Sequence, residues 1–320
     1  MLWLNRFIKL VAASTVLLIA AGGMVTSTGS GLAVPDWPNT YGWFMFSFPL
    51  DRMVGGIFYE HGHRLIASTV GFLTIVLAVW TWSVDPRAWV RRLGFVALAA
   101  VIVQGMLGGL TVIYLLPPPI SIGHAGLAQL FFCLTLSLAV FTSTSWRNQT
   151  STPDDPVLRR VAVATALCIY LQILVGATMR HTGAGLAIPD FPLVFGGLFP
   201  PAWTTPVAVH YAHRAGAVVV IAAILALFGH IRHHHRSHGE LMRPATLLVV
   251  LVLFQGTLGA FVIWSGLQPW INTLHVVNGA LVLGTSVVLA LRTFRPLMDQ
   301  GPVRDDRAIA PSPTPLGVQS

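Results

Sequence analysis

Charge is what this sequence has least of. Only 9% of its 320 residues are Asp, Glu, Lys or Arg, against about 25% in a soluble domain. Lysine occurs once, at Lys9. Cysteine occurs twice, as Cys133 and Cys168, and both lie inside apolar runs. That pattern excludes a disulfide framework and a thiolate metal site. Regular alternation of polar and apolar residues is also missing, which excludes the strands of a membrane barrel. What remains is apolar: 54% hydrophobic residues and a mean hydropathy of +0.72. The fold class expected is an all-α membrane protein.

Apolar runs stand near 10–26, 64–82, 93–114, 123–144, 158–179, 212–231, 244–264 and 273–291. Each approaches the ~20 residues that cross a bilayer as a helix, so eight transmembrane helices are predicted. The first run follows Arg6 and Lys9 but lacks a small-residue cleavage pattern after it, and is read as a retained helix. With eight spans, both termini lie on one side. That side collects fifteen of the nineteen Lys and Arg residues, leaving Arg52, Arg64, Arg180 and Arg214 on the other. The bias places both termini in the cytoplasm. It also accounts for the net charge of +8 without nucleic acid; membrane lipid is the surrounding partner. One lysine amid abundant Arg, Ala, Gly and Val points to a GC-rich bacterial genome, hence to a bacterial plasma membrane.

The chain repeats itself. TGSGLAVPDWP (Thr28–Pro38) returns as TGAGLAIPDFP (Thr182–Pro192), His63–Arg64 as His213–Arg214, QGMLGG (Gln104–Gly109) as QGTLGA (Gln255–Ala260), and His124 as His275. The offsets are 154, 150, 151 and 151 residues. Four landmarks in one order at near-constant spacing describe a duplication. Each half has four spans, so the halves share one orientation in the membrane. The architecture predicted is two tandem pseudo-symmetric four-helix bundles, residues 1–146 and 158–295. A cytoplasmic linker, 147–157, joins them, and a disordered cytoplasmic tail occupies 296–320. In the repeated loop, glycines permit tight turns and Asp36 and Asp190 are expected to bond local amides.

His63, His124, His213 and His275 are each expected in the first turn of an even-numbered span, at one depth. Ionisable residues inside a membrane are costly and mark function. Paired imidazoles across a bundle, with no cysteine and few carboxylates, suit a haem iron better than zinc or a hard cation. Arg64 and Arg214 directly follow two of these histidines and suit haem propionates. Gln104 and Gln255, with Gly105 and Gly109 and with Gly256 and Ala260, read as close helix packing with an interhelical hydrogen bond. The stretch HIRHHHRSH (His230–His238) is unpaired between the halves and reads as a charged cytoplasmic loop.

The halves differ at one informative position. Glu60 stands three residues before His63, whereas His210 stands three before His213. Positions i and i+3 share a helix face, so Glu60 is expected beside the same pocket as His63, as a carboxylate able to move protons. His210 would be a polar contact near the second haem.

The eight spans, the tandem repeat, Glu60-x-x-His63-Arg64, the single histidines opening spans four, six and eight, and the loop TGSGLAVPDWP together resemble the haem A synthase family over residues 5–295. The resemblance implies conversion of haem O to haem A for cytochrome oxidase assembly, by successive oxygenation of the C8 methyl to a formyl group with molecular oxygen. It implies that the N-terminal half holds the substrate haem between His63 and His124, with Arg64 nearby. The C-terminal half would hold haem b through His213 and His275, with Arg214 and His210 nearby. Glu60 would be the catalytic carboxylate. Haem O synthase would supply the substrate, and an unidentified electron donor would be needed. Many members carry a cysteine pair in the first external loop; residues 26–59 here have none. Two other readings share the paired histidines: a two-haem b-type electron-transfer protein, and a haem-binding transporter or chaperone. Electron transfer alone gives no reason for a carboxylate in one half only, and a transporter or chaperone has no evident need of two equivalent pockets.

Overall fold

The computed structural model describes residues 1–148 and 153–299, with side chains as far as residue 295. The helices are α1 (Leu2–Ser27), α2 (Gly56–Val84), α3 (Ala88–Ile113), α4 (Pro118–Phe141), the short α5 (Thr144–Asn148), α6 (Pro156–His181), α7 (Thr205–His234), α8 (Gly239–Trp264) and α9 (Pro269–Asp299). All except α5 are long and apolar enough to cross a membrane. No strand occurs among the described residues; there are only two isolated bridges, Thr40 with Trp43 and Val194 with Gly197.

The helices outrun the apolar runs at their external ends. Proline provides the first turn of α4 and α9, and Thr204 caps α7 by accepting from the Val207 amide. Proline has no N–H to leave unsatisfied there, and its fixed φ suits a helix start. The expectation that the four histidines occupy first turns is therefore corrected. α2 begins at Gly56, α4 at Pro118, α7 at Thr205 and α9 at Pro269, so each histidine lies in the second or third turn. Polar flanks and prolines extend each helix outward and bury the imidazoles deeper. α9 likewise continues to Asp299, past the predicted end at 295; residues 300–320 of the expected tail, and 149–152 of the expected linker, lie outside the described residues.

Within each half, neighbours in sequence pack together, and the first and last long helices close the ring: α1 on α4, α6 on α9. One apolar core joins Leu4, Ile8, Val70, Leu77, Val90, Ala97 and Leu138; another joins Leu158, Ala162, Ile224, Leu227, Leu248 and Leu289. A third cluster, Ala12, Ile19, Phe132 and Ala280, lies where α1 and α4 meet α9. Large apolar side chains such as Leu17, Phe72, Val79, Val103 and Val250 face outward, as lipid requires. Asp155 caps α6 through the amides of Val157 and Leu158.

The halves meet over small residues. A Cβ added at Gly284 of α9 would stand 2.6 Å from Leu136 Cδ1 and 2.9 Å from Phe132 Cε1 of α4. Gly284→Val should thus lower the thermal midpoint of the detergent-solubilised protein through overpacking of about 1–3 kcal/mol. Gly229→Val, where an added Cβ meets nothing within 4 Å, should melt close to wild type; equal melting of the two variants would refute tight packing at this interface.

Candidate functional site

The two external loops are built alike. Gly29 and Gly183 follow α1 and α6 at φ of 68° and 70°, a left-handed conformation that glycine adopts without Cβ strain. Asp36 accepts from the amides of Tyr41 (2.7 Å) and Gly42 (2.8 Å), and Asp190 from those of Phe195 and Gly196 (both 2.8 Å). At Asp190 these amides hold the carboxyl below its usual range; at Asp36 burial pushes upward and the Gly42 and Tyr41 amides outweigh it. The expected turn anchors are therefore in place.

Each loop is latched to its helix by arginine. Arg64 donates to the carbonyls of Val34, Asp36 and Asn39 at 2.7–3.0 Å. Arg214 donates to those of Ile188, Asp190 and Leu193 at 2.7–3.0 Å, the same three loop positions. Both guanidinium groups are thus occupied by loop carbonyls, and the expected propionate partners would have to compete for them.

Glu60 and His210 complete the two latches. The carboxylate of Glu60, only 3% exposed, accepts from Arg64 Nη2 at 2.7 Å and from the Val34 amide at 2.8 Å. At His210 the equivalent donors are Arg214 Nε at 3.1 Å and the Ile188 amide at 3.3 Å. A carboxylate accepts both; a neutral imidazole has a single acceptor nitrogen. The first loop is consequently held by two full bonds and the second by one. His61 of α2, absent from the expected site, is buried under the first loop, with Thr40 Oγ1 at 3.0 Å and the Phe48 ring tilted against it at 53°.

Each of the four histidines faces a glycine on the preceding long helix. A Cβ added at Gly22 would stand 3.0 Å from the His63 ring, at Gly108 3.2 Å from His124, at Gly176 2.9 Å from His213 and at Gly259 3.3 Å from His275. The offsets between Gly22 and Gly176 and between Gly108 and Gly259 are 154 and 151, so the repeat carried this signal. By contrast Gly105 and Gly256 have nothing within 4 Å; the expected close helix packing does not run through them, and Gly109 seats the Trp37 indole instead.

Three glutamines prop three of the imidazoles. Gln104 donates to the His124 carbonyl (2.9 Å), Gln255 to that of His275 (3.0 Å) and Gln172 to that of His213 (2.6 Å). Each amide also lies against the ring, at 3.5, 3.2 and 3.0 Å respectively. The interhelical bond expected of Gln104 and Gln255 exists, and its partner is the candidate ligand itself. Gln172 was not anticipated, because the repeat places Leu18 opposite it. His63 therefore lacks a glutamine, and the polar group beside its ring is the main chain of Leu18.

The C-terminal pair lies with ring centres 6.3 Å apart and planes inclined at 65°. Two imidazoles sharing one metal through opposite nitrogens have ring centres about 6 Å apart. The Nδ1 atoms of His63, His124 and His275 are buried without a hydrogen-bond partner among the described residues. Four imidazoles in glycine cradles, with unspent ring nitrogens, fit haem iron in each half. At the opposite membrane face His230 and His235 each approach Asp155 Oδ2 at 2.8 Å. These bonds hold the Asp155 carboxyl below its usual range against the upward effect of burial. The stretch read as a charged loop is thus partly a histidine–carboxylate cluster, with His230 still inside α7.

Named proteins are similar to this chain along most of its length. A haem A synthase from Symbiobacterium thermophilum is 31% identical over 275 residues, covering 83% of this chain and 88% of that protein. One from Geobacillus kaustophilus is 27% identical over 307 residues, covering 91% and 94%. One from Halalkalibacterium halodurans is 29% identical over 294 residues, covering 88% and 94%. The family described as cytochrome oxidase assembly protein matches residues 5–288. That span takes in both bundles and both loops, and the chain belongs to the COX15-CtaA family of cytochrome oxidase assembly proteins.

Proposed function

We propose that this protein is a haem A synthase, oxidising the C8 methyl of haem O to the formyl of haem A with molecular oxygen. The observation that carries the reading is a duplicated pair of imidazole sites whose two copies have diverged in opposite directions. The C-terminal copy is locked. Gln172 props His213, and Gln255 props His275 while accepting from Asn278 at 2.7 Å. The N-terminal copy is looser. Leu127 replaces Asn278, leaving Gln104 Oε1 without a partner among the described residues. Leu18 and Ile66 replace Gln172 and Gly216 and join the apolar core. Hydrogen-bonded support fixes an axial imidazole, so a permanent haem b belongs with His213 and His275. An exchangeable substrate haem belongs with His63 and His124.

In this assignment haem b supplies electron exchange when bound. His213 and His275 would hold its iron, and His210 and Arg214 would keep the second loop over it. His63 and His124 hold the substrate iron, and Glu60 is the carboxylate beside it. Each oxygenation inserts one oxygen atom of O2 into a C–H bond and sends the other to water, which takes two electrons and two protons. The electrons come from a donor outside the chain. Glu60 is placed to relay protons only when it releases Arg64 or Val34, so loop opening and proton delivery are linked. The cation bias supports termini in the cytoplasm of a bacterium, with the sites near the outer face of its plasma membrane. Haem O synthase in the same membrane supplies the substrate.

Co-expression with a haem O synthase under aeration should yield haem A in extracted pigment; haem O left unchanged would refute the activity. Glu60→His offers a sharper test, because His210 shows that imidazole can serve the latch. That variant and Glu60→Gln should keep haem b but form haem A at least about 100-fold more slowly. Near-normal turnover by Glu60→His would reduce Glu60 to a latch. His275→Ala should abolish the low-spin bis-imidazole spectrum of haem b; its persistence would exclude His275 as a ligand.

A further inference from the structure

Arg180 is a half-buried cation with no ion-paired carboxylate among the described residues. It stands in the last turn of α6, where the two bundles meet. Its Nη2 donates to the Gly23 carbonyl at 2.8 Å and to Ser27 Oγ at 2.5 Å, both on α1. Among the described residues its Nε and Nη1 make no hydrogen bond, and the ion pairs involve only Glu60, Asp85, Asp154 and Asp155 as acids. A guanidinium is always charged, and a charge at membrane depth is kept only where it is answered or used.

Its position indicates the use. Gly176, one turn earlier on the same helix, cradles the His213 ring, and residues i and i+4 share a face. Arg180 is also within electrostatic reach of His275. It thus stands one turn outward of the C-terminal imidazole pair. The duplication gives Thr26 at the equivalent place in α1, so the cation belongs to one site only. The arginines that follow the histidines, Arg64 and Arg214, commit both Nη groups to their loop latches, and Arg214 commits its Nε to His210 as well. Arg180 keeps Nε–H and the Nη1 hydrogens, on different edges of the guanidinium, each able to give a carboxylate oxygen one charge-assisted hydrogen bond.

We propose that Arg180 binds a propionate carboxylate of the haem held by His213 and His275, with its Nη2 anchored on α1. The inference rests on the assignment of that imidazole pair to a haem. It makes the C-terminal site incomplete without the N-terminal bundle, because Gly23 and Ser27 aim the guanidinium.

The test separates the carboxylate from the rest of the porphyrin. Full-length protein, produced without haem in a His63→Ala background so that one bis-imidazole site remains, is titrated with ferric protoporphyrin IX and with its dimethyl ester. The low-spin absorbance is followed. The background chain should favour the free acid by about 10-fold or more, the worth of a charge-assisted hydrogen bond. Arg180→Gln should bring the two ligands within about twofold while keeping the low-spin spectrum. Arg180→Lys, which keeps the charge but not the planar array that bonds α1 and the carboxylate together, should fall between, and the exposed Arg52→Gln should match the background. A preference that survives Arg180→Gln, or equal binding of both ligands before substitution, overturns the assignment of Arg180. Failure of both porphyrins to give a low-spin complex would instead overturn the haem assignment beneath it.

Discussion

The close approach of an imidazole to a glycine on the neighbouring helix, repeated four times, is the constraint on which the rest depends. His63, His124, His213 and His275 each meet a helix at a position where a methyl group would intrude at 2.9–3.3 Å. A ring seated that tightly fixes the spacing of α1 with α2, α3 with α4, α6 with α7 and α8 with α9. Those pairs are the walls of the two bundles. It also fixes ring orientation without spending the ring nitrogens, which is what a metal-binding imidazole needs. In a membrane, where lipid offers helices no hydrophobic drive to associate, small residues at the contact are the usual route to close packing. Here the partner filling the space is the functional side chain.

The loops depend on the same helices. An arginine one residue beyond the histidine cannot shed its charge, and it satisfies that charge on three loop carbonyls in each half. Water is scarce at that depth, so the loop carbonyls gain partners and the guanidinium gains acceptors. The latch is therefore structural in both bundles. What differs is its last acceptor. Glu60 satisfies two donors and neutralises Arg64; His210 can satisfy one and leaves Arg214 charged. A proton on the Glu60 carboxylate removes its ionic attraction to Arg64. A proton on His210 removes the one acceptor nitrogen that Arg214 Nε uses and sets two cations side by side. Proton uptake thus loosens either latch, and the halves differ in the group that takes the proton.

Much of this was legible in the sequence because duplication prints each constraint twice. The eight spans, the loop anchors Asp36 and Asp190, the four histidines and the singular Glu60 follow from counting and alignment of the halves. Gly22 and Gly176, and Gly108 and Gly259, were equally repeated, but a glycine in an apolar helix looks the same whether it faces lipid, another helix or a ring. Gly105 and Gly256 illustrate the converse: repeated, and in contact with nothing. Gln172 and Arg180 were hidden for the opposite reason. Leu18 and Thr26 occupy their places in the first half, so a search for repeats passes over them. Helix ends misled as well, since hydropathy marks where lipid begins to matter and not where hydrogen bonding starts.

The positions that escape the repeat share one direction. Gln172 with Gly216, Asn278 and Arg180 all lie in the second half; their counterparts Leu18 with Ile66, Leu127 and Thr26 are apolar or uncharged. Each change adds a hydrogen bond or a charge around His213 and His275 and removes one around His63 and His124. Polar groups buried in a membrane are expensive unless partnered, so their accumulation on one side is not drift toward neutrality. It concentrates orientation and charge around one pair of imidazoles. Around the other pair, His63 is free of side-chain support and Leu18 and Ile66 make the wall apolar. Glu60 is the exception that runs against this direction, a charge added to the looser half. A carboxylate there adds no support to an imidazole; under the proposed oxygenation it would be the proton-carrying group, for which the second half would have no need.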